Sequence, residues 1–567
     1  MAQTDGTGLR GNRDWTVPLW RDGQQVSTVN SFHVISPLTD EVLYRSSAAS
    51  TDDALAAVAV AERAFPAWSS TKPGHRRDLF LRAAEELVRR KDDLWHFCSK
   101  ETGSTEPYFE FDFNDALESL KSCAGLIATV QGSVPQILVE DRSAMVVKEP
   151  YGVVVSIAPW NAPCILGLRS FLAPLAMGNT VVVKGPERAP GCYWTLADIF
   201  HQVGLPAGCL NVLFHRPQDG AEITSALIAA PAVRKINFAG STAIGSVIAG
   251  LAGKHLKPVL MELGGKAPAI VCEDADLQLA ALECTLGAFL YSGQICMSTE
   301  RILVNAKVVD KFREVLAATI EQVFPDKNGL VLIDKAQVTR NANLLQDAVG
   351  KGAKAVFGDV SDKRELATAM RPTVLEGVKQ GMDLYYTESF GPTVSLFVVE
   401  SDEEAVKIAN DTDYGLAAAV FTENLQRGFR LAKQIETGAV HINSMSVHDE
   451  AGLPHGGAKK SGFGRFNGEE GLREWPLWSR RESPQAYTAS SSSDQSAGGT
   501  TPSETKNRAD SAFGIPRAKG MDLYTKLAVQ RKIVGWLSRF KGQKYAVGIE
   551  AETWLSCLMK LSMEQTA

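Results

Sequence analysis

The chain has no paired cysteine spacing. Its nine cysteines include no CxxC and no cluster with its histidines, which excludes the usual structural zinc spacings and the disulfide framework of a small secreted domain. No apolar run is long enough to span a bilayer. The start, Met1-Ala2-Gln3-Thr4-Asp5-Gly6, has no charged stretch followed by an apolar one, so no secretory signal is expected. An excess of positive charge is also missing: 59 Lys and Arg against 65 Asp and Glu leave a net charge of −6, no footprint for nucleic acid. What remains is a 567-residue chain, 45% apolar and 22% charged. That is the profile of a soluble protein of more than one domain in a reducing compartment. A cytoplasmic location is expected, with no metal site.

Against this background one stretch stands out, Ser292-Gly293-Gln294-Ile295-Cys296-Met297-Ser298. It displays a cysteine after a glycine-containing polar turn and before the apolar run Arg301-Ile302-Leu303-Val304. Taken alone, a loop cysteine is more often a small buried hydrophobe than a nucleophile. Pro258-Val259-Leu260-Met261-Glu262-Leu263-Gly264-Gly265-Lys266 reads as a strand opening into a double-glycine turn. It sets Glu262 at a strand end, where a carboxylate serves either as a general base or as an ordinary solvated charge. Val153-Val154-Val155-Ser156-Ile157-Ala158-Pro159-Trp160-Asn161 is an apolar strand running into a turn that displays Asn161, an oxyanion donor or a simple turn residue. Two further strand-to-turn segments follow the same pattern, Val181-Val182-Val183-Lys184-Gly185-Pro186-Glu187 and Phe238-Ala239-Gly240-Ser241-Thr242-Ala243-Ile244-Gly245.

Together, from about Trp15 to about Tyr487, these segments resemble the aldehyde dehydrogenase superfamily. The resemblance implies an α/β fold with two doubly wound parallel-sheet domains, one Rossmann-like for the cofactor and one catalytic, and a small β arm that bridges subunits. It implies that Cys296 is the nucleophile, Glu262 the general base and Asn161 the oxyanion donor. Lys184 and Glu187 then hold the adenosine ribose, Gly240, Ser241 and Gly245 lie near the pyrophosphate, and Glu388 holds the nicotinamide ribose. Phe390 and Trp160 sit with the cofactor residues. A carboxylate at Glu187 accepts from ribose hydroxyls and repels a 2′-phosphate, so NAD is expected over NADP. A homodimer or homotetramer acting on a small aldehyde is implied.

The alternation of strands and helices supports this architecture. Amphipathic helices are expected over residues 54–67, 76–91 and 115–128. Strands are expected at 153–157, 180–183, 212–214 and 235–238, then at 269–271, 301–304, 393–399 and 418–421. The expected domains are 10–130 with 149–262 for the cofactor, 263–465 for catalysis, and 131–148 with 480–487 as the oligomerisation arm. Residues 488–520 read as a Ser/Thr/Gly-rich flexible linker. Residues 521–567 read first as an appendage outside the family pattern, and second as a basic helix for a membrane surface or partner.

The motifs look like those of the salicylaldehyde and vanillin dehydrogenase branch, which oxidises ring-bearing aldehydes. Ala162 follows Asn161 where many relatives place a bulky aromatic, which widens the substrate tunnel. Ile295, Met297 and His455 are the other expected tunnel residues, and His455 replaces the usual phenylalanine. Tyr108 and Phe109 read equally as tunnel wall or core packing. Arg169 reads first as a structural ion pair and second as a partner for a phenol or carboxylate. Gly185-Pro186 departs from the usual Pro-Ser of its segment, and Ala239 from the usual Thr. Three alternatives stand beside the main reading. A CoA-acylating relative is opposed by Glu262, a non-enzymatic scaffold by the full set of site residues, and a tailoring enzyme for a polyketide or terpenoid aldehyde is opposed by nothing in the sequence.

Overall fold

The computed structural model describes residues 15–138, 142–325, 329–360 and 366–483; the linker and extension expected over 488–567 lie outside them. Two large sheets organise the chain. The first has eight strands, and its centre is built from Val259–Glu262, Val233–Ala239, Val153–Ile157, Thr180–Lys184 and Leu210–Leu213, in that spatial order and all parallel. Runs such as Val153-Val154-Val155 and Val181-Val182-Val183 are buried along their length, as a parallel sheet covered on both faces requires. Helices Ile165–Ala176, Pro190–Gln202, Gly220–Ala229 and Thr242–Lys254 form the crossovers. Antiparallel edge strands, Gly462–Phe463 on one side and Leu19–Arg21 with Gln24–Val26 on the other, complete the sheet.

The register fixes where chemistry can occur. Ile157 lies beside Lys184 and Phe238, and Ala239 beside Glu262. Four parallel strands therefore end at one level, so Trp160-Asn161, Lys184 to Glu187, Gly240-Ser241 and Glu262 emerge along one edge, where open α/β sheets take their ligands.

The second sheet has seven strands. Thr373–Glu376, Thr393–Val399, Thr299–Asn305, Ala267–Val271, Ala417–Phe421 and Ala439–Ile442 are parallel, and Lys354–Phe357 joins antiparallel at one edge. Gly264-Gly265 connects the last residue of one sheet's strand, Glu262, to the first strand of the other. Cys296 precedes the Thr299–Asn305 strand and Glu388 precedes Thr393–Val399. The carboxyl edge of the first sheet and the amino edge of the second thus supply one site.

Ser143–Pro150 and Pro476–Ser483 pair along their whole length as an antiparallel ribbon separate from both large sheets. The second strand of this expected arm begins at Pro476, earlier than the sequence pattern suggests, and its Trp478 ring receives the Lys148 ammonium 4.4 Å from the centroid. The expected helices run longer, over Thr51–Ser69, Pro73–Arg89 and Glu106–Leu126, and a separate helix, Lys91–Thr102, follows the second. The expected strand at 212–214 is shifted to Leu210–Leu213, because the fully buried Phe214 turns out of the strand to pack under Gly185. A Cβ on Gly185 would lie 2.6 Å from that ring, which accounts for the glycine at this position.

Candidate active site

The Cys296 loop begins where helix Leu277–Phe289 stops. Tyr291, Ser292 and Gly293 have φ of 47°, 60° and 72°, a left-handed run that reverses the chain within three residues. Two of them are not glycine, so the turn is strained and needs external anchors. The Tyr291 hydroxyl donates to the Thr102 carbonyl at 2.7 Å, and the Ser292 hydroxyl to the Val331 carbonyl at 2.7 Å. Gln294 Oε1 accepts from the Ile333 N–H at 2.8 Å. Ser298 N–H closes the next turn onto the Ile295 carbonyl at 2.9 Å, which leaves Cys296 at its tip. Of the eight cysteines among the described residues, seven are buried and Cys296 alone is half-buried.

Burial pushes the Cys296 thiol well above its ordinary range, and the neighbouring Glu262, hydrogen-bonded to it, pushes the same way. Glu388 adds to this, and only Arg169 opposes it. The chain's own charges therefore hold a thiol here, with Glu262 as the group placed to take its proton. Glu262 is 3% exposed, and its Oε1 is buried without a hydrogen-bond partner.

Asn161 is held from two sides. Its side-chain Nδ2 donates to the Gln294 carbonyl at 3.0 Å, and its backbone carbonyl accepts from the Tyr108 hydroxyl at 2.9 Å. One amide N–H thus ties Asn161 to the cysteine loop, and the amide has a second N–H to donate. Tyr108 is stacked on Tyr291, with centroids 4.2 Å apart and planes within 6°. Behind it, Trp160 meets Phe390 edge-on at 6.0 Å.

The double glycine is required by close approach. A Cβ on Gly265 would lie 2.2 Å from the Cys296 carbonyl oxygen, and one on Gly264 would lie 2.3 Å from the Glu388 carboxylate. Glu388 itself accepts from the Gly265 N–H at 2.7 Å. Burial, then the nearby Glu300, push its carboxyl up to about 8. A buried network that sequence reasoning misses places this loop. Lys266 pairs with Glu300, whose Oε1 accepts from the Ser389 N–H at 2.6 Å and the Phe390 N–H at 3.2 Å. Arg340 donates to the carbonyls of Ser389 and Glu388, each at 2.6 Å. Phe390 has φ of 49°, a conformation this network holds in place. Lys266 follows the double glycine in sequence, but its partner Glu300 is set by the fold alone.

On the other side lies a cradle suited to a dinucleotide. Helix Thr242–Lys254 presents its amino end, where Ser241 accepts from the Ile244 N–H at 3.5 Å as N-cap, a ready site for a phosphate. Gly245 is packed so tightly that a Cβ would lie 2.5 Å from Leu263. Ile244 and Val247 are exposed on the same helix, two apolar side chains near its amino end. Lys184 ends its strand with Glu187 as its charged neighbour; burial lowers the Lys184 pKa and Glu187 opposes that shift.

Ala162, Ile295, Met297 and His455 are all buried; Ala162 adjoins Asn161 and Ile295 and Met297 flank Cys296 in the chain, and His455 Nε2 stands 3.7 Å from Glu262. Phe109, by contrast, belongs to the core: its ring packs at 5.2 Å on Trp95 and 5.7 Å on Phe113, because it faces inward from helix Glu106–Leu126. Arg169 forms the structural ion pair, donating to Asp449 and at 3.3 Å to Asn467.

Comparison with known proteins agrees with this geometry. The model of the aldehyde dehydrogenase family matches residues 20–478. A vanillin dehydrogenase of Pseudomonas fluorescens is 41% identical over 467 residues, 81% of this chain and 96% of that protein. The crystal structure of a salicylaldehyde dehydrogenase from Pseudomonas putida G7 complexed with salicylaldehyde superposes with a TM-score of 0.79 at 33% identity, covering 83% of this chain and 98% of that one. A betaine aldehyde dehydrogenase from Staphylococcus aureus in complex with NAD+ gives a TM-score of 0.79 at 27% identity, with 85% and 97% covered. The strand-edge site, the displayed cysteine and the extent of these matches lead to one conclusion: the chain belongs to the aldehyde dehydrogenase family.

Proposed function

We propose that this enzyme oxidises ring-bearing aldehydes to carboxylic acids with NAD, through an acyl intermediate on Cys296. The observation that carries the proposal is the convergence of a half-buried thiol, a buried carboxylate beside it with one oxygen unsatisfied, and a tethered carboxamide at the meeting edges of two sheets.

Glu262 takes the proton of Cys296, and the sulfur adds to the aldehyde carbon. The oxyanion so formed is held by the free N–H of Asn161 Nδ2 and by the Cys296 backbone N–H, each such donor contributing about 3–4 kcal/mol. The nicotinamide, when bound, supplies the acceptor for the hydride and a positive charge near the sulfur. Loss of the hydride leaves a thioester on Cys296. Glu262 passes this first proton to solvent and then takes one from water, whose oxygen adds to the thioester carbon; the C–S bond breaks, the acid leaves, and the proton on Glu262 restores the thiol.

The residues present suit a dinucleotide. Ser241 and the helix amino end would hold the pyrophosphate, Lys184 and Glu187 the adenosine ribose, and Glu388 the second ribose, with Phe390 and Trp160 beside the ring. Glu187 favours NAD over NADP by repelling a 2′-phosphate. Small Ala162 next to Asn161, with Ile295, Met297 and His455 around it, leaves width for a flat ring, and the vanillin and salicylaldehyde enzymes are relatives in point. The exposed Trp478, Leu477 and Met145 of the β ribbon suit an interface with a second copy. The free state of the eight described cysteines fits a cytoplasmic location, and no helix among the described residues is long and apolar enough to cross a membrane.

The test is NADH formation across a panel of benzaldehydes, hydroxybenzaldehydes and short aliphatic aldehydes, with NAD and NADP compared. The proposal expects higher kcat/KM for ring aldehydes and for NAD. A preference for short aliphatic aldehydes overturns the substrate assignment, and equal efficiency with NADP overturns the role of Glu187.

A further inference from the structure

His455 lies between two buried carboxylates. Its Nε2 stands 3.7 Å from Glu262 Oε1, and its Nδ1 stands 3.9 Å from Asp449 Oδ1. His455 is 8% exposed and Glu262 3%, and both His455 Nε2 and Glu262 Oε1 lack a hydrogen-bond partner. Two complementary polar atoms, each buried and unsatisfied, face each other just beyond bonding distance, an arrangement that is costly unless the bond forms at some stage.

The surroundings determine which partner moves. The His455 backbone is locked to Phe466 by two hydrogen bonds, of 2.9 and 2.7 Å. Asp449, behind the ring, is held by Arg169, by Asn467 Nδ2 at 2.9 Å and by the Glu450 N–H at 2.8 Å. Glu262 is fixed at its backbone, where its carbonyl accepts from the Gly240 N–H at 3.1 Å. Its side chain is held by the Cys296 thiol alone, with His455 on its other side. Each ring nitrogen faces one carboxylate, and in the tautomer with its N–H on Nε2 the ring is a donor toward Glu262.

We infer that His455 is a positioning residue for Glu262, giving the carboxylate a second seat once Cys296 is acylated and can no longer donate to it. This rests on the acylation and hydrolysis reading above. In the first half of the cycle Glu262 faces the thiol. In the second it rotates onto His455 Nε2, which aims it at the water beside the thioester. A phenylalanine sets a somewhat larger ring there and offers no donor.

The experiment separates the two halves without the cofactor. A 4-nitrophenyl ester acylates the full-length protein and releases nitrophenolate; the acyl-enzyme is then desalted, and its loss is followed by intact-protein mass spectrometry. His455→Phe, which also changes one wall of the tunnel, is expected to slow deacylation about tenfold more than it slows acylation, the loss of one hydrogen bond to a charged group. His455→Gln, which restores a donor, is expected to recover most of that rate and covers the case of a Phe variant that does not fold. Deacylation by a folded His455→Phe at the wild-type rate, equal slowing of both steps, or a folded His455→Gln slowed as much as a folded His455→Phe overturns the inference. Slow ester deacylation in His455→Phe, alongside a wild type that forms no NADH from any aldehyde, upholds His455 and removes the functional reading instead.

Discussion

Gly264 and Gly265 are adjacent, yet alanine at each should damage a different step. On Gly265 the added Cβ meets the Cys296 carbonyl oxygen at 2.2 Å. Carbon contacts become comfortable only near about 3.5 Å, so the cysteine loop must retreat by about 1 Å. That backbone cannot yield cheaply, because its turn is already left-handed and anchored through Tyr291 and Ser292. A misplacement of about 1 Å at a reacting atom costs on the order of 100-fold, about 2.7 kcal/mol of barrier. Gly265→Ala is therefore expected to lose about 100-fold in kcat. On Gly264 the new methyl meets the Glu388 carboxylate at 2.3 Å, the mobile end of a side chain assigned to the nicotinamide ribose. Gly264→Ala is expected to raise KM for NAD severalfold with a smaller loss in kcat. Steady-state kinetics with both substrates varied, beside thermal melts that confirm folding, decide the matter. Folded Gly265→Ala at wild-type kcat, or the same profile for both variants, refutes the reasoning.

Two other outcomes are expected. Asn161→Ala removes an oxyanion donor and the tie to Gln294, and should lower kcat by about 100- to 1,000-fold with little change in KM for the aldehyde, measured by NADH formation. The Glu388 carboxyl is raised to about 8, so the folded state holds this proton more tightly than the unfolded chain. Its stabilising effect is complete below the ordinary carboxylate range and is lost as pH rises through about 8. Melting temperature without cofactor should thus fall from pH 5 to 8.5, with Glu101 and Asp115, raised to about 7 and about 8, acting in the same direction. Glu388→Gln should flatten part of that slope; an identical slope in the variant contradicts the assignment.

The strands and the turns that follow them were legible because a doubly wound sheet writes itself locally, as β-branched runs ending in Gly, Pro or Asn. That alternation, with the family resemblance, leads to Cys296, Glu262 and Asn161. Partnerships across long sequence separations were not legible. Nothing near Lys266 announces Glu300, and nothing near Glu262 announces His455; both pairs exist because two sheets meet edge to edge. The Arg169–Asp449 pair was anticipated as an ion pair only in kind, without its partner. Phe109 shows the converse limit: an aromatic near the site in sequence faces the core because of the helix phase, which hydrophobicity alone does not reveal. The left-handed Tyr291 and Ser292 were hidden for a different reason, since neither residue type favours that conformation and distant anchors impose it.

The central claim is that Cys296 carries the acyl group. Its most direct test is acid quenching of full-length Glu262→Gln after minutes with a benzaldehyde and NAD at pH 9, where solvent base takes the thiol proton in place of Glu262, followed by peptide mass spectrometry. The account predicts a benzoyl thioester on the peptide containing Cys296, formed with about one NADH per site, and neither adduct nor NADH in Cys296→Ala. An acyl adduct on another cysteine, or turnover by Cys296→Ala, would contradict it.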